Sequence, residues 1–154
     1  MKPVKFNEFE LVVPEAWSDG TQITLCGVAA GGFTPNLSII KENLSEDVTV
    51  PEFASFTGDH LAATLGESGL VIVGEAMIQL DKKEAFQRIF QFKMDDEGKQ
   101  IVQQIQILQI RGRKAVSITF TDLVENFGAS MPKATRTILE SFHWEDGEHD
   151  HKGH

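Results

Sequence analysis

Cysteine is nearly absent: Cys26 is the single one in 154 residues, which excludes an intrachain disulfide, a CxxC redox pair and any cysteine-rich zinc module. Such usage fits a reducing compartment, and a cytoplasmic location is expected. Basic residues are scarce too, since 14 Lys and Arg against 23 Asp and Glu leave a formal net charge of −9. That is the wrong sign for a protein that holds DNA or RNA by neutralising phosphates, and it disfavours adsorption to anionic lipid. No apolar run approaches the ~18 uninterrupted residues of a membrane helix. The opening Met1-Lys2-Pro3-Val4-Lys5-Phe6-Asn7-Glu8 meets acid before it has built an apolar core, so no secretory signal is expected and no direct membrane insertion.

Catalytic signatures are missing as well. Gly128-Ala129-Ser130-Met131-Pro132 departs from a nucleophile elbow at its last position, where proline stands in place of glycine. There is no phosphate-binding loop, no dinucleotide fingerprint and no H-E-x-x-H. Asp95-Asp96-Glu97 lacks the ligand spacing and closing glutamate of a calcium loop and reads as a hairpin turn. Cys26 lies in an apolar strand pattern and reads as a small buried residue. Imidazoles at His149, His151 and His154 could hold a divalent metal, but a terminus this polar reads as an unpacked tail. Enzymatic activity, a cofactor and a metal are therefore not expected.

What is present is a globular composition, 41% hydrophobic and 24% charged, at a length suited to one domain of about 150 residues. The domain is expected to span 1–144, with 145–154 an acidic, His-containing, disordered tail. Phe9, Leu11 and Val13 alternate along a first strand that ends at Pro14; Ile23 and Leu25 mark a second; Leu37-Ser38-Ile39-Ile40-Lys41 is a third. Between Thr49 and Gly66, Phe53, Phe56, Leu61 and Leu65 approximate helical spacing, with Pro51 and Glu52 in the first turn and Gly66 as the stop. Strands return at Leu70–Val73, Ala85–Met94, Lys99–Ile110 and Val116–Thr121, separated by breaks at Asp81-Lys82-Lys83-Glu84, Asp95-Asp96-Glu97-Gly98 and Arg111-Gly112-Arg113-Lys114. Ala134, Ile138, Leu139 and Phe142 stripe a last helix that opens at Met131-Pro132 and ends near Trp144. The order βββ, α, ββββ, α predicts an α+β fold, an antiparallel sheet of about six to seven strands with two main helices packed on it.

The unusual feature is amide. Gln87, Gln91, Gln100, Gln103, Gln104, Gln106 and Gln109 crowd the long hairpin, and on its return strand Gln103, Ile105, Ile107 and Gln109 share one face. Such a face is either a mildly polar outer surface or a groove for an apolar helix, in which isoleucines pack and glutamines satisfy hydroxyl or backbone groups.

The segment Phe9-Glu10-Leu11-Val12-Val13-Pro14-Glu15-Ala16-Trp17-Ser18-Asp19 resembles the entry of the DcrB-like family. The likeness continues through the helix beginning at Pro51-Glu52-Phe53, the long hairpin, the strand Arg113-Lys114-Ala115-Val116-Ser117-Ile118-Thr119 and the C-terminal helix, about residues 6–144 in all. It implies the PsbP-like fold. The chain is most similar to the effector-associated chaperones of bacterial type VI secretion, which act in the cytoplasm as homodimers. These hold the N-terminal transmembrane helices of a toxin soluble until it is loaded on the secretion spike. The resemblance puts Ile23 and Leu25 against the client. Parity extends that groove to Ser38 and Ile40 and to Gln103, Ile105 and Ile107, and His60 matches a helix position that presents a polar contact. A small-ligand or lipid-binding domain of the same family is the alternative. The charged Leu80-Asp81-Lys82-Lys83-Glu84 and the His-containing tail depart from the chaperone pattern.

Overall fold

The computed structural model describes residues 2–6, 9–16, 22–28, 33–95, 99–128 and 131–145. Strands β1 (Lys2–Phe6) and β2 (Phe9–Val13) pair antiparallel as a two-stranded ribbon. The main sheet contains β3 (Gln22–Cys26), β4 (Asn36–Asn43), β5 (Val71–Leu80), β6 (Lys83–Lys93), β7 (Ile101–Arg111) and β8 (Lys114–Leu123) in the order β3-β4-β8-β7-β6-β5. Every neighbouring pair is antiparallel. Helix α1 (Val50–Leu65) lies between β4 and β5, and α2 (Met131–Ser141) follows β8. The expected α+β sheet with two helices is thus present, with two differences. The first expected strand belongs to the separate ribbon together with the unforeseen β1, and β5 runs on to Leu80 instead of ending at Val73. Trp17, Asp96-Glu97-Gly98 of the expected turn and the tail from residue 146, with His149, His151 and His154, lie outside the described residues.

The helices take opposite faces. Phe53 and Ala54 of α1 pack with Leu108 and Ala115, flanked by Phe86 and Ile110. On the other face Leu37, Ala85, Ile107, Val116, Ile118 and Phe120 meet Ile138 and Leu139 of α2 and the Phe142 and Trp144 that follow it. Alternation along β7 separates Leu108 from Ile107 and so separates the two cores.

Helix α1 begins where its sequence says. The Thr49 hydroxyl accepts from the Glu52 N–H at 3.2 Å and the Glu52 carboxylate accepts from the Thr49 N–H at 3.1 Å, a reciprocal capping box. Helix α1 ends at Leu65 with Gly66 as its C-cap, as expected; Gly66 itself stays right-handed at φ −55 and opens a short 3-10 turn, and the left-handed residue is Gly69. Gly58 sits where α1 crosses Arg88, whose side chain is buried. The guanidinium donates to the Ala54 carbonyl at 2.8 Å, the Gln106 amide oxygen at 2.9 Å and the Glu75 carboxylate at 2.8 Å. A Cβ at residue 58 would stand 2.8 Å from it.

A second buried polar group ties the other side. Gln109 is inaccessible, and its amide nitrogen donates to the Leu80 carbonyl at 2.7 Å, with longer contacts to the carbonyls of Lys83 and Glu84. Its oxygen accepts from the Trp144 indole N–H at 2.7 Å, and the Trp144 backbone N–H donates to the Asp81 carboxylate at 3.0 Å. Asp81 and Lys82 form the β5–β6 turn with φ of 53 and 64, the left-handed pair that a two-residue hairpin requires. One amide thereby joins that turn, β7 and the end of the C-terminal helix.

Three outcomes follow. Gly58→Ala should lower unfolding stability in urea by about 1–3 kcal/mol, because Arg88 is held too firmly to give way. Gly66→Ala, with open space around it, should be neutral or raise stability by about 0.5 kcal/mol. Gln109→Leu should cost about 3 kcal/mol in the same assay, since it strands a buried carbonyl and the indole N–H. The Thr49 hydroxyl and backbone N–H hold the Glu52 carboxyl below the usual glutamate range. That part of the cap is complete above the unfolded glutamate pKa and is lost as pH falls through the lower folded value. An NMR titration of Glu52 should show the depressed midpoint, and Thr49→Ala should raise it.

Candidate functional site

On the α2 face, directly opposed strand residues share a side, so the register assigns each candidate. Ile23 faces Ile39 and Leu25 faces Leu37 across β3 and β4, and Leu37 faces Phe120 on β8. Ile23 and Leu25 therefore stand on the α2 face, at its outer edge, 47% and 56% exposed. Ile105 is opposite Phe120 and Ile107 opposite Ile118, which puts Gln103, Ile105 and Ile107 on that face too. Ser38 and Ile40 do not join them. They pair with Thr119 and Ser117 and point to the α1 face, where the Gln22 amide donates to Ser38 at 3.2 Å. The parity extension through β4 was one residue out of step, and a single step moves a side chain to the other side of a sheet. His60 is also on the α1 side, exposed on that helix, with its carbonyl accepting from the Thr64 hydroxyl. Ile107 is buried beneath the core and offers no surface.

Helix α2 then divides what remains. On its β6 side lies an open groove of about 750 Å³. Gln87 and Ile89 of β6 and Gln103 and Ile105 of β7 make its floor; Thr135, Arg136, Leu139 and Glu140 of α2 make one wall. Phe127, Pro132, Phe142, Gln79, Asp81 and Lys82 complete it. The register sets Gln87 opposite Ile107, Ile89 opposite Ile105, and Gln91 opposite Gln103. The Gln91 amide donates to the Gln103 oxygen at 2.8 Å. The floor is thus a lattice of neutral amide and branched apolar groups, with charge of both signs confined to the rim. It can receive apolar surface between the isoleucines and exchange hydrogen bonds with hydroxyl, amide or backbone groups at the glutamines.

On the β3 side of α2 a smaller apolar cavity of about 350 Å³ is lined by Leu25, Leu37, Phe120, Ala134 and Ile138. Cys26 borders it and is exposed, contrary to the burial expected of it, because β3 is the edge strand of the sheet. Gln103 and Ile105 thus share one cavity, Leu25 borders the other, and α2 stands between them. Sequence reasoning missed Gln87 and Ile89 as floor residues, although their shared parity on β6 was visible, and it missed Thr135, Leu139 and Phe127 as walls. Among the described residues no group of three or more His, Cys, Asp or Glu could hold a metal ion, and no helix is long and apolar enough to cross a membrane.

No family model matches the chain, and no curated protein matches it. Solved structures do. A Pseudomonas aeruginosa protein of unknown function, PA94, superposes with a TM-score of 0.75 at 14% identity, over 95% of this chain and 99% of that one. LpqN of Mycobacterium tuberculosis, involved in cell envelope biogenesis, gives 0.56 at 15% identity over 82% and 85%. CyanoP, the PsbP of Synechocystis sp. PCC 6803, gives 0.52 at 13% identity over 86% and 83%. With its six-stranded antiparallel sheet between two helices, the chain has the PsbP-like fold.

Proposed function

We propose that this protein is a non-enzymatic cytoplasmic chaperone or adaptor of the DcrB-like family. In this reading it acts as a homodimer, binds the N-terminal transmembrane helices of a type VI secretion effector and keeps them soluble for loading. The observation that carries the reading is the groove floor of Gln87, Ile89, Gln103 and Ile105. A membrane helix associates with its neighbours through close apolar packing and side-chain hydrogen bonds. A protein that shelters such a helix in water has to supply both without a charge at the contact, because burying an unpaired charge is costly. Ile23 and Leu25, exposed on the same face, extend the apolar surface beyond α2.

A second reading, a site for a small hydrophobic ligand or lipid, draws on the narrower cavity at Leu25, Leu37, Phe120 and Ile138. Its size of about 350 Å³ falls in the ~300–1,000 Å³ range of small-molecule pockets.

Affinity purification of the full chain from its native cells, with mass spectrometry of what accompanies it, separates the two. A large protein with apolar segments of ~20 residues near its N-terminus is the expected partner. Its recovery should fall at least tenfold with Ile23→Glu or Ile105→Glu and stay unchanged with Ile40→Glu, which is exposed on the opposite face. Recovery of lipid alone would transfer the assignment to the second reading.

A further inference from the structure

We propose that α2 is a displaceable cover over its face of the sheet, lifted when the groove takes up its ligand; the inference rests on that groove being the binding site. Helix α1 is seated by three buried apolar residues, Val50, Phe53 and Ala54. Within the described part of α2 the buried residue is instead a polar one, Thr135, while Ile138 and Leu139 are only partly covered. Cavities flank α2 on both sides, so much of its underside lacks the dense packing that holds a helix down.

Thr135 supplies the second argument. A threonine inside a helix commonly returns its hydroxyl to a carbonyl one turn back, as Thr137 does to Lys133 at 3.0 Å. The Thr135 hydroxyl is inaccessible and finds no hydrogen-bond partner among the described residues. A buried, unsatisfied hydroxyl weights the equilibrium against the docked state by roughly fivefold to a hundredfold. Lifting the helix gives that hydroxyl water or ligand to bond. The far end stays tethered: beyond α2, Trp144 is clamped by Gln109 and Asp81 and lies edge-on to Phe142 at 6.0 Å between ring centroids. With α2 raised, the two cavities merge into one strip running from Leu25 to Gln103, wide enough for a helix to replace the one that left.

Hydrogen exchange on the free full-length protein tests the cover directly. Amides of residues 135–141 should exchange at least tenfold faster than those in the middle of α1. Thr135→Val should slow the α2 amides by about tenfold and leave α1 unaltered, while Thr135→Ser, which keeps a hydroxyl, should leave them fast. Protection of α2 equal to that of α1, or no response to Thr135→Val, overturns the proposal. A synthetic leucine–serine helix of ~20 residues should, on binding, accelerate α2 exchange while protecting β7; protection of both would also overturn it. Failure of this peptide to bind counts against the client reading, and the comparison on the free protein still decides the cover.

Discussion

Five interstrand spacings of about 4.8 Å make a six-stranded sheet about 24 Å wide, and one helix about 10 Å across lies on each face. A single helix cannot cover such a face, so each face must leave sheet uncovered beside its helix. On the α1 face the uncovered part mixes hydroxyl with apolar groups: Ser38 and Thr119 lie there beside the exposed Ile40, and the Gln104 amide donates to the buried Thr121 at 3.1 Å. On the α2 face it is isoleucine, glutamine and leucine. Helix α2 runs over the middle and leaves a cavity on either flank. The edge strands also expose apolar side chains: Ile23 and Leu25 of β3 on the α2 face, and on β5 Val71 together with Ile72 and Met77, which pair with Phe90 and Phe86 and so stand on the α1 face.

Two buried polar side chains decide where the helices sit. Arg88 draws α1 onto β6 through the Ala54 carbonyl and is neutralised by Glu75, an arrangement that leaves no free room for a Cβ at residue 58. Gln109 does the corresponding work opposite, but it fastens the chain after α2 and leaves the body of that helix to weaker apolar contacts. The asymmetry has a physical origin. A guanidinium has five donors to satisfy and binds several elements at once, whereas an amide already committed to the β5–β6 turn has one oxygen left, and Trp144 takes it.

The parts of this architecture that were legible in the sequence are those set by short-range rules. The capping box at Thr49 and Glu52 fixes the start of α1, and the alternation of Val116, Ile118 and Phe120 announces β8, although that pattern reads as a half-buried strand and β8 is buried on both faces. The amide and isoleucine parity of β6 and β7 pointed to a mixed face, and the groove floor lies there. What failed depends on long-range register. Leu37, Ile39 and Ile40 place apolar groups on both parities of β4, so the strand alone does not say which residue faces Ile23; the ladder to β8 does. β1, with Lys2, Pro3 and Lys5 in five residues, carries no alternation strong enough to announce a strand, and its partner is the ribbon rather than the sheet. The burial of Ile107 and the exposure of Cys26 follow from strand order, central for β7 and marginal for β3, which local periodicity does not encode.

Amide in place of charge on the groove floor has an energetic reason. The Gln91 amide donates to the Gln103 oxygen, and neutral amides need no counter-ion and avoid the desolvation that a lysine or glutamate would suffer on being covered. Under a client helix of the kind proposed, that pair can persist or rotate to meet a hydroxyl, at a cost of about one exchanged hydrogen bond. A floor of isoleucine alone would bind more area but would be an exposed apolar patch and a site of self-association. In the proposed reading the amides limit that exposed patch while the branched side chains between them supply the gain from burial.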